Sequence, residues 1–354
     1  MNKIETVWLT LNRVCNLRCN WCYAKSLNFQ NAQNMNLFLA KDLVDFSNQL
    51  GINEIALIGG EPTCYEELTN LISYISNKGI DTWLITNGIK FKDYSYVEKL
   101  SKAGLTGINF SLKGWSKQSY FSNTKVDAFE DILCALKNIS NSNIRCKVSF
   151  VISSDNIDHL IDIVKLAVDF KIKEFYFSFE HDFSFLDGIN SQYDIEKISK
   201  IIDGFSQCYC ELDKITNGNF ILHQSYPLCL WDNEIIQKLT EKKQIYTSCS
   251  LIRKSGIVFD TDGSLIPCNA MYQTPIGKFG SDFKDSATFD RFWNSNKTVS
   301  IYNLLKKLPN AKCYDCKNSL ICGGGCISNW AHFSYDDLVK ANMIKKDQYT
   351  ANIT

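Results

Sequence analysis

Short apolar runs alternate with stretches of helical spacing along the first half of the chain. Thr6–Leu11, Glu54–Ile58, Thr82–Ile85, Gly107–Leu112, Arg145–Ile152 and Glu174–Phe179 read as strands. Between them, apolar residues recur with helical period over Leu37–Leu50, Leu68–Ser76, about Ser95–Ala103, Ala128–Ile139 and Ile157–Phe170. Gly51 and Gly79 stand where helices should stop, and Asn156 stands near a helix start. Strand and helix alternating about six times predicts an α/β fold, a parallel sheet with helices outside it. Right-handed crossovers would curl such a sheet into a partial (β/α)6 TIM-like barrel over residues 1–180, with Glu174–Phe179 as its last strand.

The pattern changes after that strand. Residues 181–247 mix loop signals with helical stretches near Ile195–Phe205 and Asn233–Glu241, and read as a bridging region. From residue 248 to 335 cysteines return at tight spacing and alternation fades, which predicts a second, cysteine-rich domain. Residues 336–354 carry several lysines and read as a tail, a solvated helix or a loose end.

Composition narrows the function classes. The 38 basic residues balance 38 acidic ones, which argues against a protein dominated by nucleic-acid binding. No apolar run is long enough to span a bilayer, and the N-terminus lacks a signal-peptide pattern, so a cytoplasmic location is expected. Fifteen cysteines is a high and odd count for such a chain. Disulfides are disfavoured there, and metal or cluster ligation is the natural use. Cys134, Cys146, Cys208 and Cys210 are expected simply to pack.

Three of the cysteines stand in one short run, Cys15-Asn-Leu-Arg-Cys19-Asn-Trp-Cys22-Tyr23. Structural zinc is the plainer reading of clustered cysteines, but zinc closes on four ligands and the next cysteine is Cys64. Three thiolates on a cubane cluster leave one iron free to bind a small molecule. The C-x-x-x-C-x-x-C spacing followed by an aromatic resembles the radical S-adenosylmethionine (radical SAM) enzymes. That resemblance makes Cys15, Cys19 and Cys22 ligands of a [4Fe–4S] cluster whose free iron holds S-adenosylmethionine.

Gly59-Gly60-Glu61-Pro62 follows a strand directly and matches the run that in this family binds the methionine amino group. Glycines let a ligand approach the backbone, and a carboxylate can accept from an ammonium group. Alone, the run would read as a strand-to-helix turn. Ser111 and Asn156 resemble family positions near the nucleotide, although each could equally cap a strand or a helix. Tyr23 resembles the aromatic that family members place near the adenine; the plainer reading is a core aromatic. The cysteine run, the glycine run, Thr86-Asn87-Gly88 and Ser111 all fall at C-terminal strand ends, where such folds gather their chemistry.

Farther along come Cys249, Gly263-Ser-Leu-Ile-Pro-Cys268, Cys313-x-x-Cys316 and Cys322-Gly-Gly-Gly-Cys326. This resembles the SPASM extension of radical SAM enzymes, which implies one or two auxiliary iron–sulfur clusters. Carried over, Cys249, Cys268 and Cys326 would ligate the first, with Cys229 as fourth ligand. Cys313, Cys316 and Cys322 would ligate the second. The family's last cysteine has no counterpart after Cys326, leaving His332, Asp336 or Asp337, an open iron, or no second cluster. A zinc-ribbon-like site built from Cys313, Cys316, Cys322 and Cys326 is the structural alternative.

The resemblance implies reductive cleavage of S-adenosylmethionine to a 5′-deoxyadenosyl radical, which abstracts hydrogen from substrate. It favours modification of a ribosomally synthesised peptide, by a thioether or carbon–carbon crosslink or a related oxidation. Implied partners are that peptide and a reductase, flavodoxin or ferredoxin as electron donor. Since the first strand starts close to Met1, peptide capture is expected to fall to a separate leader-peptide-binding protein or to the bridge. Sulfatase-maturing-type oxidation of a protein Cys or Ser is disfavoured because Asn269 stands where those enzymes have an Asp base. Dehydrogenation of a small alcohol or sugar, and a non-enzymatic metal-binding scaffold, are further alternatives.

Overall fold

The computed structural model describes residues 4–24, 33–183, 194–223, 226–246, 249–307, 311–313, 316 and 318–344. The tail expected over 336–354 is thus described only as far as residue 344, where Tyr335–Lys340 is a helix; 345–354 lie outside the described residues, as do 184–193 of the bridge. The described strands are, in chain order, β1 (Thr6–Thr10), β2 (Glu54–Ile58), β3 (Asp81–Thr86), β4 (Gly107–Ser111), β5 (Arg145–Ile152), β6 (Glu174–Phe179), β7 (Phe220–His223), β8 (Ile245–Tyr246), β9 (Gly256–Phe259), β10 (Ser264–Ile266) and β11 (Gly277–Lys278).

Residues divide into two compact units, one of 1–148 with 253–302 and one of 149–252 with 303–354. Residues 253–302 of the expected cysteine-rich domain thus group with the N-terminal strands, and 248–252 and 303–335 with the second unit.

In the first unit β1, β2, β3 and β4 pair in parallel, and β9 pairs in parallel on the other side of β1. β10 and β11 extend that side antiparallel. Register explains why the strands look so apolar. Val7 faces Ile55, Leu9 faces Leu57, Leu57 faces Leu84 and Leu84 faces Ile108. All of these are fully buried, as are Leu43, Leu71, Ile72, Val97, Leu100, Ile132 and Leu136 of the connecting helices. Each fully buried aliphatic side chain contributes roughly 1.5–3 kcal/mol, which makes this layer the main source of the unit's stability. Alternate positions carry the other face, where Trp8, Thr10, Asn12, Asn109 and Ser111 bring polar groups in.

In the second unit β6, β7 and β8 pair in parallel. The alternation therefore does not stop at Phe179. The bridge contains the Ile195–Thr216 helix, β7, the Asn233–Glu241 helix and β8, two further strand–helix repeats. Its core stacks Phe179 on Tyr226 at 5.0 Å and on Trp231 at 5.6 Å.

Candidate functional site

Parallel pairing puts the C-terminal ends of β1 to β4 along one edge of the first unit, and backbone and side-chain hydrogen bonds tie them together. The chain leaving β1 runs beside the chain leaving β2. Gly60 N–H donates to the Asn12 carbonyl at 3.0 Å and Glu61 N–H to the Val14 carbonyl at 2.7 Å. Asn12 Nδ2 donates to the Glu61 carbonyl at 2.9 Å. A Cβ on Gly60 would lie 2.3 Å from the Val14 carbonyl oxygen, and one on Gly59 would lie 2.5 Å from Asn12 Oδ1. These glycines are therefore needed by the strand that carries the cysteine run, a close approach within the chain itself.

Glu61 pins the arrangement. Its carboxylate is buried and accepts four hydrogen bonds, from Thr63 N–H, Thr63 Oγ1, Thr86 Oγ1 and Asn87 N–H, at 2.6–3.0 Å. These bonds join β2 to β3; three of them fall on Oε1 and one on Oε2. Pro62 opens the Pro62–Cys64 turn that follows. Asn87 Nδ2 then donates to Asn16 Oδ1 at 2.6 Å, carrying the tie from β3 into the cysteine run.

The cysteine run is held from its far side by the Lys117–Thr124 helix, which follows β4. Arg18 N–H donates to the Thr124 carbonyl, Asn20 N–H to that of Asn123, and Asn20 Nδ2 to that of Ser122, at 2.9–3.1 Å. Cys15, Cys19 and Cys22 are all half-buried, and none is in a disulfide. Burial pushes the Cys15 thiol up to about 12; the Leu17 N–H, 3.4 Å from its sulfur, opposes that, and Glu61, Cys19 and Cys22 add to it. The three sulfurs thus sit within electrostatic reach of one another, although among the described residues no three Cys, His, Asp or Glu side chains close on a single point. Three soft thiol donors on one pinned loop, beside a backbone cradle, fit a cluster held by three cysteines.

The remaining predicted residues fall as follows. Tyr23 is half-buried and its hydroxyl is pushed up by burial, with Arg13, Cys22, Cys268 and Asp260 around it; Cys268 is thereby brought close to the cysteine run. Ser111 ends β4. Asn156, in the second unit, turns back on its own strand end instead of capping a helix: Oδ1 accepts from Ser153 N–H and Nδ2 donates to the Val151 carbonyl.

Cys229, Cys249, Cys313, Cys316, Cys322 and Cys326 belong to the second unit. There Cys313, Cys316 and Cys322 influence one another electrostatically, and Cys313 is pushed up to about 11 chiefly by burial. Cys322 is the most sheltered, and the backbone N–H groups of Leu228, Gly324 and Gly325 point at its sulfur. Gly323, Gly324 and Gly325 all have positive φ, 57°, 84° and 72°. Three successive left-handed residues aim successive amides inward, a conformation only glycine adopts cheaply. Burial pushes the Cys322 thiol up, and these amides oppose that shift without cancelling it. Ser328 Oγ lies 3.1 Å from Cys326 Sγ. Of the other candidate ligands, His332 Nε2 is 2.9 Å from the Asp182 carbonyl, and Asp337 accepts from Ser334 N–H and Oγ in a capping box.

Sequence reasoning missed Asn12 and Asn16 as ties, and the Arg13–Asp260 ion pair. The signal was present for Asn12, a polar residue ending an otherwise apolar strand.

Comparisons with known proteins agree with this geometry. Residues 9–167 match the family model of the Radical SAM superfamily. A probable GTP 3′,8-cyclase of Saccharolobus islandicus is 29% identical over 179 residues, covering 49% of this chain and 56% of that protein. One of Sulfurisphaera tokodaii is also 29% identical over 179 residues, covering 49% and 55%. The chain thus spans about half the length of the curated relatives it matches. Among solved structures, native anSMEcpe with bound AdoMet superposes with a TM-score of 0.68 at 20% identity, covering 91% of this chain and 89% of that one. Streptococcus suis SuiB bound to the precursor peptide SuiA gives 0.69 at 21%, covering 93% and 73%. At such identities the likeness shows the fold, an α/β partial TIM-like barrel. The segment that carries the cysteine and glycine runs matches the Radical SAM superfamily, whose cofactors are a [4Fe–4S] cluster and S-adenosylmethionine.

Proposed function

We propose that the chain cleaves S-adenosylmethionine reductively and uses the resulting radical to modify a ribosomally synthesised peptide. The observation that carries the first half is the pinned cysteine loop of Cys15, Cys19 and Cys22 lying against the Gly59–Gly60 backbone. A cluster bound there supplies one electron to S-adenosylmethionine, whose cleavage yields a carbon radical able to abstract hydrogen. The chain's own part is to offer three thiols, to hold the loop by Asn16, Arg18 and Asn20, and to present the glycine run, with Glu61 keeping that run in place. Tyr23 and Ser111, in the first unit, are proposed to contact the nucleotide, the role that the resemblance also gives to Asn156.

Support for a peptide substrate comes from the SuiB–SuiA complex, a neighbour in fold crystallised with its precursor peptide. The curated relatives favour a second reading, a nucleotide substrate, since they are named probable GTP 3′,8-cyclases. Incubating reduced enzyme with S-adenosylmethionine and either candidate peptides or GTP, then reading product masses, separates the two. 5′-Deoxyadenosine should form with a reductant and vanish in Cys19→Ala; retained cleavage in that variant overturns the assignment.

The cysteine-rich residues 248–335 are proposed to hold auxiliary iron–sulfur clusters in the SPASM manner. Cys249, Cys268 and Cys326 remain the set that the resemblance gives for the first. For the second, Cys313, Cys316 and Cys322 gain a fourth candidate in Cys229, because the neighbouring Leu228 N–H donates to Cys322 Sγ at 3.3 Å. Cys229, which the resemblance gives to the first set, is therefore proposed for the second. Cys229→Ala should lower bound iron without abolishing 5′-deoxyadenosine formation; an unchanged iron content and cluster spectrum overturns the reassignment.

A further inference from the structure

The cysteine loop has an outer face whose charge is unlike that of the chain as a whole. Cys19 stands between two residues tied to the end of the Lys117–Thr124 helix. Arg18 N–H donates to the Thr124 carbonyl at 2.9 Å and Asn20 N–H to that of Asn123 at 3.0 Å. Asn20 Nδ2 adds a bond to the Ser122 carbonyl. The helix end is thus one residue and one hydrogen bond away from Cys19.

Tyr120 and Thr124 bury the inner side of that helix. Lys117 and Phe121 stand one turn apart on its outer side, and Lys125 follows four residues later at the C-cap. All three are exposed, Phe121 to 52%. Arg18 is exposed beside them, and Lys113 Nζ lies 6.0 Å from the Trp21 ring centre. Across residues 14–24 and 113–127 the charged groups are Arg18, Lys113, Lys117, Lys125 and a single acid, Asp127, which pairs with Lys117 at 3.1 Å. The next acids, Glu130 and Asp131, begin the following helix, and Lys92 holds Asp131 at 2.8 Å. A positive surface therefore covers the cysteine run in a chain whose net charge is zero.

A lone exposed phenyl ring is ordinary on a protein surface. Phe121 matters for its place, between two lysines and next to the bonds that reach the cysteine loop. The proposed reaction draws one electron from outside for each S-adenosylmethionine cleaved. Cys15, Cys19 and Cys22 are half-buried, and electron transfer slows steeply with distance, so a carrier has to press close to the loop.

We propose that this face is the docking site of an acidic flavoprotein that delivers the electron. The inference rests on the reading of the cysteine loop as the holder of the cluster. The lysines and Arg18 attract an acidic partner and set its orientation. Phe121 supplies a flat apolar centre against which the exposed edge of a flavin ring packs. The anionic flavin hydroquinone gives up one electron and becomes the neutral semiquinone, the oxidised cluster takes that electron, and no proton moves.

The test follows cluster reduction by stopped-flow absorbance on the anaerobically reconstituted full chain, with two donors. One is a reduced acidic flavodoxin; the other is photoreduced deazariboflavin, a small uncharged reductant. Reduction of the wild type by flavodoxin should slow as salt is added. Lys117→Gln combined with Lys125→Gln should slow it about tenfold at low ionic strength, and the difference should fade at high salt. Phe121→Ala should slow it at every ionic strength. Deazariboflavin should reduce all variants at the wild-type rate. Iron and sulfide content show whether the cluster survives the substitutions. Should the double variant lose it, Lys117→Gln alone carries the comparison, with about threefold slowing expected. Wild-type rates with flavodoxin in the variants, equal slowing with both donors, or a wild type that only deazariboflavin reduces overturns the docking site and leaves the functional reading standing. Faster reduction by an acidic ferredoxin, with the same dependence on the lysines, overturns the flavin as occupant. A wild-type cluster that neither donor can reduce overturns the functional reading as well.

Discussion

Arg13 and Asp260 grip each other at 2.5 Å, and only 6% and 15% of their side chains are exposed. The guanidinium also lies 5.0 Å from the Tyr272 ring centre. Arg13 leads into Cys15 and Asp260 directly follows β9, so the pair fixes where the cysteine loop leaves the sheet. Arg13→Met leaves a sheltered carboxylate without its cation and should cost about 3 kcal/mol in denaturant unfolding. A change below about 0.5 kcal/mol would show that the loop is placed without this pair.

Gly60→Ala should be far worse than Gly79→Ala. A Cβ at Gly60 collides with a backbone oxygen that cannot move without shifting the cysteine run, which predicts about 2 kcal/mol of destabilisation and loss of S-adenosylmethionine affinity. At Gly79 nothing lies within 4 Å, and only the positive φ of 72° resists, at about 1 kcal/mol. Thermal unfolding and ligand titration of both variants check the contrast; equal effects would mean that the close approach is not limiting.

Glu61→Gln separates a structural carboxylate from a ligand-binding one. Four donors surround the two oxygens, so the amide of Gln would have to turn an N–H toward at least one donor. The expected result is a stability loss of about 2 kcal/mol with the affinity for S-adenosylmethionine falling only in proportion. Unchanged stability with abolished ligand binding would assign the carboxylate to the ligand.

Cluster uptake should depend on pH with a definite sign. Burial pushes the Cys15 thiol up to about 12, so the iron-free chain holds its proton at neutral pH. Iron binds the thiolate and releases that proton, so affinity rises with pH below the thiol's pKa, about tenfold per unit for each proton displaced. Competition with a chelator at pH 7 and pH 8 measures this. A flat response would mean that the thiol is already ionised without metal.

Where the chain obeys a strong period, the elements were legible. Arg145–Ile152, Glu174–Phe179 and Asn233–Glu241 form with the bounds their sequence suggests, because buried apolar residues recur inside each with a regular period. The strands β7 and β8 were not, since four and two residues give alternation no room to declare itself. The Lys117–Thr124 helix was missed for a related reason: it buries only Tyr120 and Thr124, and its start is specified by the Ser116–Ser119 capping box. In the candidate site the residue types were readable while their assignments were not. Gly59 and Gly60 make room for Asn12 and Val14 as neighbours in the fold, and the carboxylate beside them ties β2 to β3, roles that the sequence alone did not show. Such distinctions depend on which strand end lies next to which, and pairing order is a property of the folded sheet.

The bonds from Arg18 and Asn20 to the last turn of the Lys117–Thr124 helix are made by peptide groups and one amide side chain, with no metal involved. The entropy of arranging the thiols is therefore spent when the polypeptide folds, before any iron arrives. A loop held by such bonds should keep its shape when air bleaches the cluster and should be rearmed by iron and sulfide without refolding.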